Sequence, residues 1–192
     1  MRCSNPTPIR TRCPEDADVL RDTDPVAWLT ACEEIRQLAS RYAVSYGARD
    51  TDALARLFLP DIKVTRETSG TEALRASFDD QMRSLGRVIL MVGNHVIDVV
   101  DADNATGVLS CRGEIEDRDG RWIIHQIQYH DTYRRVDGRW LFARRRHLLW
   151  YGHDMANPPV DLPDANWPQS QTGKGELPEC IESWREWTER NG

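Results

Sequence analysis

A carboxylate stands in the middle of a strand face that is otherwise apolar and aromatic. The segment Ile127-Gln128-Tyr129-His130-Asp131-Thr132-Tyr133 runs into a turn at Asp137-Gly138 and then into Arg139-Trp140-Leu141-Phe142-Ala143-Arg144-Arg145. Strict alternation places Ile127, Tyr129, Asp131 and Tyr133 on one face, and Gln128, His130, Thr132 and Arg134 on the other. The first face is the one to bury. An ionised aspartate in such a wall is costly unless it is paired or hydrogen-bonded. Two readings of Asp131 follow. In one it is a proton-transfer group, with Arg145 able to hold developing oxyanion charge. In the other, Asp131 and Arg145 form a buried structural ion pair, which perturbs ionisation just as an active site does.

Further polar groups share these faces. His125 lies on the face of Asp131, and His147 follows Arg145 on one face of the last strand. His130 is expected to point outward, and alternation alone leaves the facing of His95 open. Tyr42 and Tyr46 are one turn apart on the core-facing side of a helix, where their hydroxyls could donate to a substrate oxygen or serve as wet ends of core residues. The histidines and carboxylates show no metal-ligand spacing, so no metal is expected. Gly-rich phosphate loops and serine nucleophile motifs are absent.

The elements that must position these groups change character along the chain. Asp24 reads as a helix N-cap with Pro25 in the first turn, and apolar residues recur at Leu29, Cys32, Ile35, Ala39, Tyr42 and Tyr46 up to Gly47. Asp50 reads as the cap of a short helix stopped by Pro60, with a short strand expected around Ile62 to Arg66. A third helix is predicted from about Thr71 to Ser84. From Arg87 the period becomes that of strands: Val88–Val100, Ala105–Glu116, Trp122–Val136 and Trp140–Tyr151, separated by turn clusters that include Asp119-Gly120 and Asp137-Gly138. Helices first and a meander afterwards make an α+β layer fold.

The 192 residues divide into an arm (1–24), a body (25–151) and an extension (152–192). The net charge of −6 resides outside the body: the extension carries −5, the arm −1, and the body is neutral. No basic stripe suited to nucleic acid results, and no apolar run of about 18 residues suits a membrane. With no signal-like stretch at the N-terminus, a cytoplasmic location is expected. The five cysteines are scattered without a CxxC pair, so a disulfide framework is not expected; Cys32 and Cys111 read as packing residues. Three of the seven tryptophans (Trp167, Trp184, Trp187) lie after Tyr151. This extension is therefore expected to lie on the body or on a partner subunit and to end in a short helix near 178–190.

Helix, short helix, strand, helix and a four-strand meander is the order of the nuclear transport factor 2-like superfamily. Three segments resemble its SnoaL-like branch: RYAVSYGARDTDALARLFLPDIKV (41–64), GNHVIDVVDADNATG (93–107) and YHDTYRRVDGRWLFARRR (129–146). The resemblance covers roughly 28–150. It implies a cone-shaped fold, with a curved, mostly antiparallel sheet and helices packed on its concave face. It also implies a homodimer and an enclosed pocket for a small apolar substrate, used in the family for cyclisation, dehydration or isomerisation. In the dehydratase and dehydrochlorinase members, an Asp at the end of the first helix works with a His on the strand entering the meander. Those positions fall here at Gly47 and Leu90, so both catalytic types are missing, while Leu90 keeps a pocket position. The dehydrochlorinase arginine is matched by Arg145, its strand tyrosine by Tyr129, and a scytalone dehydratase tyrosine by Tyr46. The single aspartate of the SnoaL-type cyclases, seven residues before the Gly of the DG turn, is matched by Asp131.

The expected site is therefore Asp131 as acid/base with Arg145, and His125 standing in for the missing histidine. Tyr42, Tyr46, Tyr129, Tyr133, Leu90 and His147 would line it. The competing expectation is a non-catalytic binding or assembly module of the same fold. A ring-hydroxylating dioxygenase β-type subunit is a third.

Overall fold

Two carboxylates and a DG pair set the local frame. In the computed structural model, which describes residues 19–156, 162–164, 172–175, 180, 185–186 and 189, the first long helix is opened by Asp24. Its side chain accepts from the Ala27 N–H at 2.9 Å. A short helix α1 (Val19–Thr23) precedes it and packs on α2 (Pro25–Gly47). Asp50 caps α3 (Thr51–Ala55) in the same way, at 2.8 Å from the Ala53 N–H. A longer helix α4 (Thr71–Arg83) completes the layer. The stripe that α2 buries is Ala31, Cys32, Ile35, Leu38, Ala39, Tyr42 and Ala43. Leu29, expected on that stripe, is instead 58% exposed, because Leu20 of α1 and Trp28 take the packing positions at this end.

Five strands follow in the order β1-β2-β3-β4-β5: Leu85–Val99, Asn104–Asp117, Trp122–Val136, Arg139–Asp154 and the two-residue Gly173–Lys174. All neighbours pair antiparallel, and helices cover one face. Asp137 and Gly138 both take positive φ (50° and 75°). That is the primed two-residue hairpin turn that a DG pair favours. Gly173–Lys174 pairs with Tyr151 and Gly152, so a piece of the extension lies on the body. The helix expected near 178–190 falls largely outside the described residues. Among the described residues no helix is long and apolar enough to cross a membrane.

The strand expected around Ile62 to Arg66 is absent. Only one bridge forms there, Lys63 to Ser69. The Thr65 hydroxyl accepts from the Glu67 and Thr68 N–H groups, closing a tight turn in place of an extended segment.

Two bulges decide which side chains face the helices. Between Thr132/Arg144 and Tyr133/Phe142 one extra residue, Ala143, enters β4. Phe142 and Arg145, three apart, thus both face inward, and Arg145 stands opposite Asp131. A second irregularity between Val92 and His95 in β1 turns the His95 ring toward Tyr133, across the glycine at 107. A Cβ at Gly107 would lie 2.9 Å from the Val96 carbonyl and 3.1 Å from the Tyr133 ring. Gly107→Ala is accordingly expected to cost about 1–3 kcal/mol in urea unfolding and to break the hydrogen bond between His95 and Tyr133.

Candidate functional site

The buried carboxylate is fully engaged. Arg145 donates to Asp131 through Nε to Oδ1 at 2.9 Å and through Nη2 to Oδ2 at 2.6 Å. The Tyr133 hydroxyl donates to Oδ2 at 2.9 Å. The side chains of Arg145 and Asp131 are 6% and 0% exposed. A phenol has one proton, and Tyr133 gives it to Asp131. His95 Nε2, 3.0 Å from the same oxygen, must therefore carry a hydrogen and donate. The chain His95–Tyr133–Asp131–Arg145 thus spans three strands and ends on a guanidinium. Burial opposes the charge of Arg145, but the Asp131 carboxylate outweighs this and holds it above its ordinary value.

The remaining surface of Arg145 is aromatic. Its Cζ lies 4.1 Å from the Phe142 ring centre, 4.2 Å from that of Tyr129 and 4.4 Å from that of Tyr42. Its Nη1 has no hydrogen-bond partner, so ring faces replace an acceptor there. Burial raises the phenols of Tyr42, Tyr46 and Tyr129, which therefore stay protonated and can donate.

Above this platform lies a cavity of about 760 Å³, within the roughly 300–1,000 Å³ range of small-molecule sites. Arg145, His125, His147 and Leu90 line it, as do Tyr42, Tyr46 and Tyr129. Asp131 and Tyr133 do not: Asp131 is held behind Arg145, with both oxygens occupied. Asp131, expected as the proton-transfer group, is thus placed behind Arg145 as its ion-pair partner and away from the cavity wall. Tyr133, expected as a lining residue, is likewise held there, on Asp131.

The histidines divide. His147 meets the Tyr129 ring edge-on with centroids 5.5 Å apart. Its pKa is lowered to about 4 by burial, with smaller contributions from His125 and Arg145, so it is neutral at pH 7. Burial also lowers His95 to about 4. His130, expected outward, is half-buried and contacts the Gln128 side-chain oxygen at 2.9 Å. The participation of His95 was not legible from alternation, since the bulge before it changes the parity. The cavity residues Lys63 and Arg144 were also missed; the turn that carries Lys63 reads in the sequence as a strand.

A family model for the SnoaL-like domain matches residues 28–146, and the chain belongs to that family. No curated protein matches the chain. Among solved structures, a scytalone dehydratase-like protein from Novosphingobium aromaticivorans is 22% identical with a TM-score of 0.61, covering 69% of this chain and 92% of its own. Hexachlorocyclohexane dehydrochlorinase LinA-type3 from Novosphingobium barchaimii is 19% identical with a TM-score of 0.64, covering 70% of this chain and 97% of its own. Rv3472 from Mycobacterium tuberculosis, a protein of unknown function, is 25% identical with a TM-score of 0.55, covering 64% of this chain and 77% of its own. These likenesses establish the nuclear transport factor 2-like fold; they do not carry an activity across.

Proposed function

We propose that this chain is a cofactor-independent enzyme that moves a proton on a small, largely apolar molecule in the cavity, as cyclases, dehydratases and isomerases do. The observation that carries this reading is a neutral His147 in an apolar cavity wall that it shares with Arg145. A neutral imidazole can take a proton from a carbon next to a carbonyl. The tyrosine hydroxyls, still protonated, can donate to the oxygen that becomes negative. Arg145, its charge balanced by Asp131, stacks on the Tyr42 and Tyr129 rings and holds those tyrosines in place. Asp131 takes no proton in this scheme. It positions Arg145, with Tyr133 and His95 behind it.

A second reading has its own support. Gly47 and Leu90 occupy the positions of the dehydratase Asp and His, and Leu90 puts an inert side chain into the cavity wall. That favours a binding module of the same fold.

Hydrogen–deuterium exchange separates the two readings without knowledge of the net reaction. Aromatic and alicyclic ketones such as β-tetralone are incubated with the protein in D₂O, and deuterium at the α-carbon is followed by NMR. Exchange above the buffer rate, lost in His147→Gln with the melting temperature retained, is the expected result. Ketones that raise the melting temperature yet exchange no faster than in buffer would refute the enzyme reading and leave the binding module.

A further inference from the structure

We infer that the molecule this cavity takes carries an anionic group on its apolar body, and that Lys63 and Arg144 hold that group at the rim. The inference rests on the cavity being a substrate site, and it names the class of substrate.

Four of the residues lining the cavity are exposed and so form its rim: Lys63, Gln81, Ser84 and Arg144. Two of these are cations and the other two are neutral. No Asp or Glu lines the cavity anywhere among the described residues, in a chain with 31 of them and a net charge of −6. Lys63 and Arg144 have no carboxylate within ion-pair distance among the described residues. Other exposed arginines do find such partners, for example Arg83 with Asp80, and Arg121 with Asp117. Among the described residues the rim charge is thus left unneutralised.

The inner end is different. The charge of Arg145 is already balanced by Asp131 at 2.6 Å, and the histidine beside it is neutral. A second negative charge at depth would meet mostly apolar wall and a spent counter-ion. The same charge at the rim would meet two cations and keep part of its hydration, while low-dielectric walls focus their field. The placement follows: apolar body inside, a neutral oxygen toward the tyrosines, an anion outside. Lys63 is delivered by the turn at 62–69, and Arg144 directly follows the Ala143 bulge.

Matched pairs of ligands test this. Benzoate, naphthoate and decanoate, each against its own primary amide, are titrated by calorimetry at low salt and at 0.5 M salt. The carboxylates are expected to bind about tenfold more tightly than the amides, the sum of two exposed ion pairs. That advantage should shrink at high salt as screening shortens the reach of the charges. In Lys63→Met/Arg144→Gln the acid and amide should converge with the melting temperature unchanged. Amides that bind the wild-type protein as tightly as the acids overturn the anion preference and leave the cavity reading standing. Failure of every member of both series to bind overturns the two together. Lys63→Met/Arg144→Gln keeping the full preference for acids would show that the charge is read elsewhere, and the inference falls.

Discussion

Asp131→Asn is expected to lower the stability of the protein by about 3–5 kcal/mol, the cost of leaving a buried charge without its partner. The substitution keeps the shape of the side chain and removes its charge. Arg145 would then remain with its side chain 6% exposed and no anion opposite. The asparagine amide would also turn N–H groups toward a guanidinium or a phenol that both donate to Asp131 now. For a chain of this size the melting temperature should fall by roughly 10 °C. A proton-transfer role for Asp131 predicts the reverse pattern, with turnover lost and melting unchanged. A double replacement sharpens the test. Asp131→Leu combined with Arg145→Met removes both charges and should recover most of the loss, since a well-packed apolar pair replaces a buried ion pair at little cost. If the double variant is no more stable than Asp131→Asn, the hydrogen bond from Tyr133 matters more than the charge pair does.

Acidification is expected to destabilise the protein through two half-buried histidines, His95 and His147, before its carboxylates matter. In the folded protein His95 and His147 titrate at about 4, against an ordinary 6.5, chiefly because burial penalises their charged forms. The unfolded chain therefore binds protons that the folded protein refuses between pH 6.5 and 4. Stability is complete above about pH 6.5 and falls as the pH drops through this window, levelling off below about 4. At pH 4.5 His147 should have cost on the order of 2 kcal/mol and the more solvated His95 less, and His130, lowered in the same direction by burial, adds to the slope. Melting temperatures measured from pH 7.5 to 4.5 check this directly. His147→Gln should flatten the curve and leave the value at pH 7.5 nearly unchanged. His95→Gln should flatten it as well, but it also loses the bond to Tyr133 and so starts lower. A profile that is level from pH 7.5 to 4.5 in the wild-type protein would mean that both rings are solvated.

Local chemistry was enough to read the scaffold from the sequence. Asp24 and Asp50 cap the helices they were expected to cap, because a cap depends only on a side-chain oxygen and N–H groups two or three residues on. The Asp137-Gly138 turn needs positive φ at both residues, and the strand faces of β3 follow from a period of two. Tyr42, Tyr129 and His125 could therefore be placed on inward faces from residue order alone.

What alternation could not supply is a change of parity. The extra residue at Ala143 brings Phe142 and Arg145 to the same side, and the irregularity before His95 turns that ring onto Tyr133. Where a bulge falls depends on the pairing of two strands distant in sequence. Whether Asp131 would face a ligand or an arginine was fixed only by that register: both residues sit opposite one another, and the guanidinium takes every oxygen the carboxylate offers. The sequence by itself determined the layers and the list of polar groups on the inner face. The tertiary structure decided which of them reach the cavity, because a charge buried beside its counter-ion is satisfied there and leaves the wall to its neighbours.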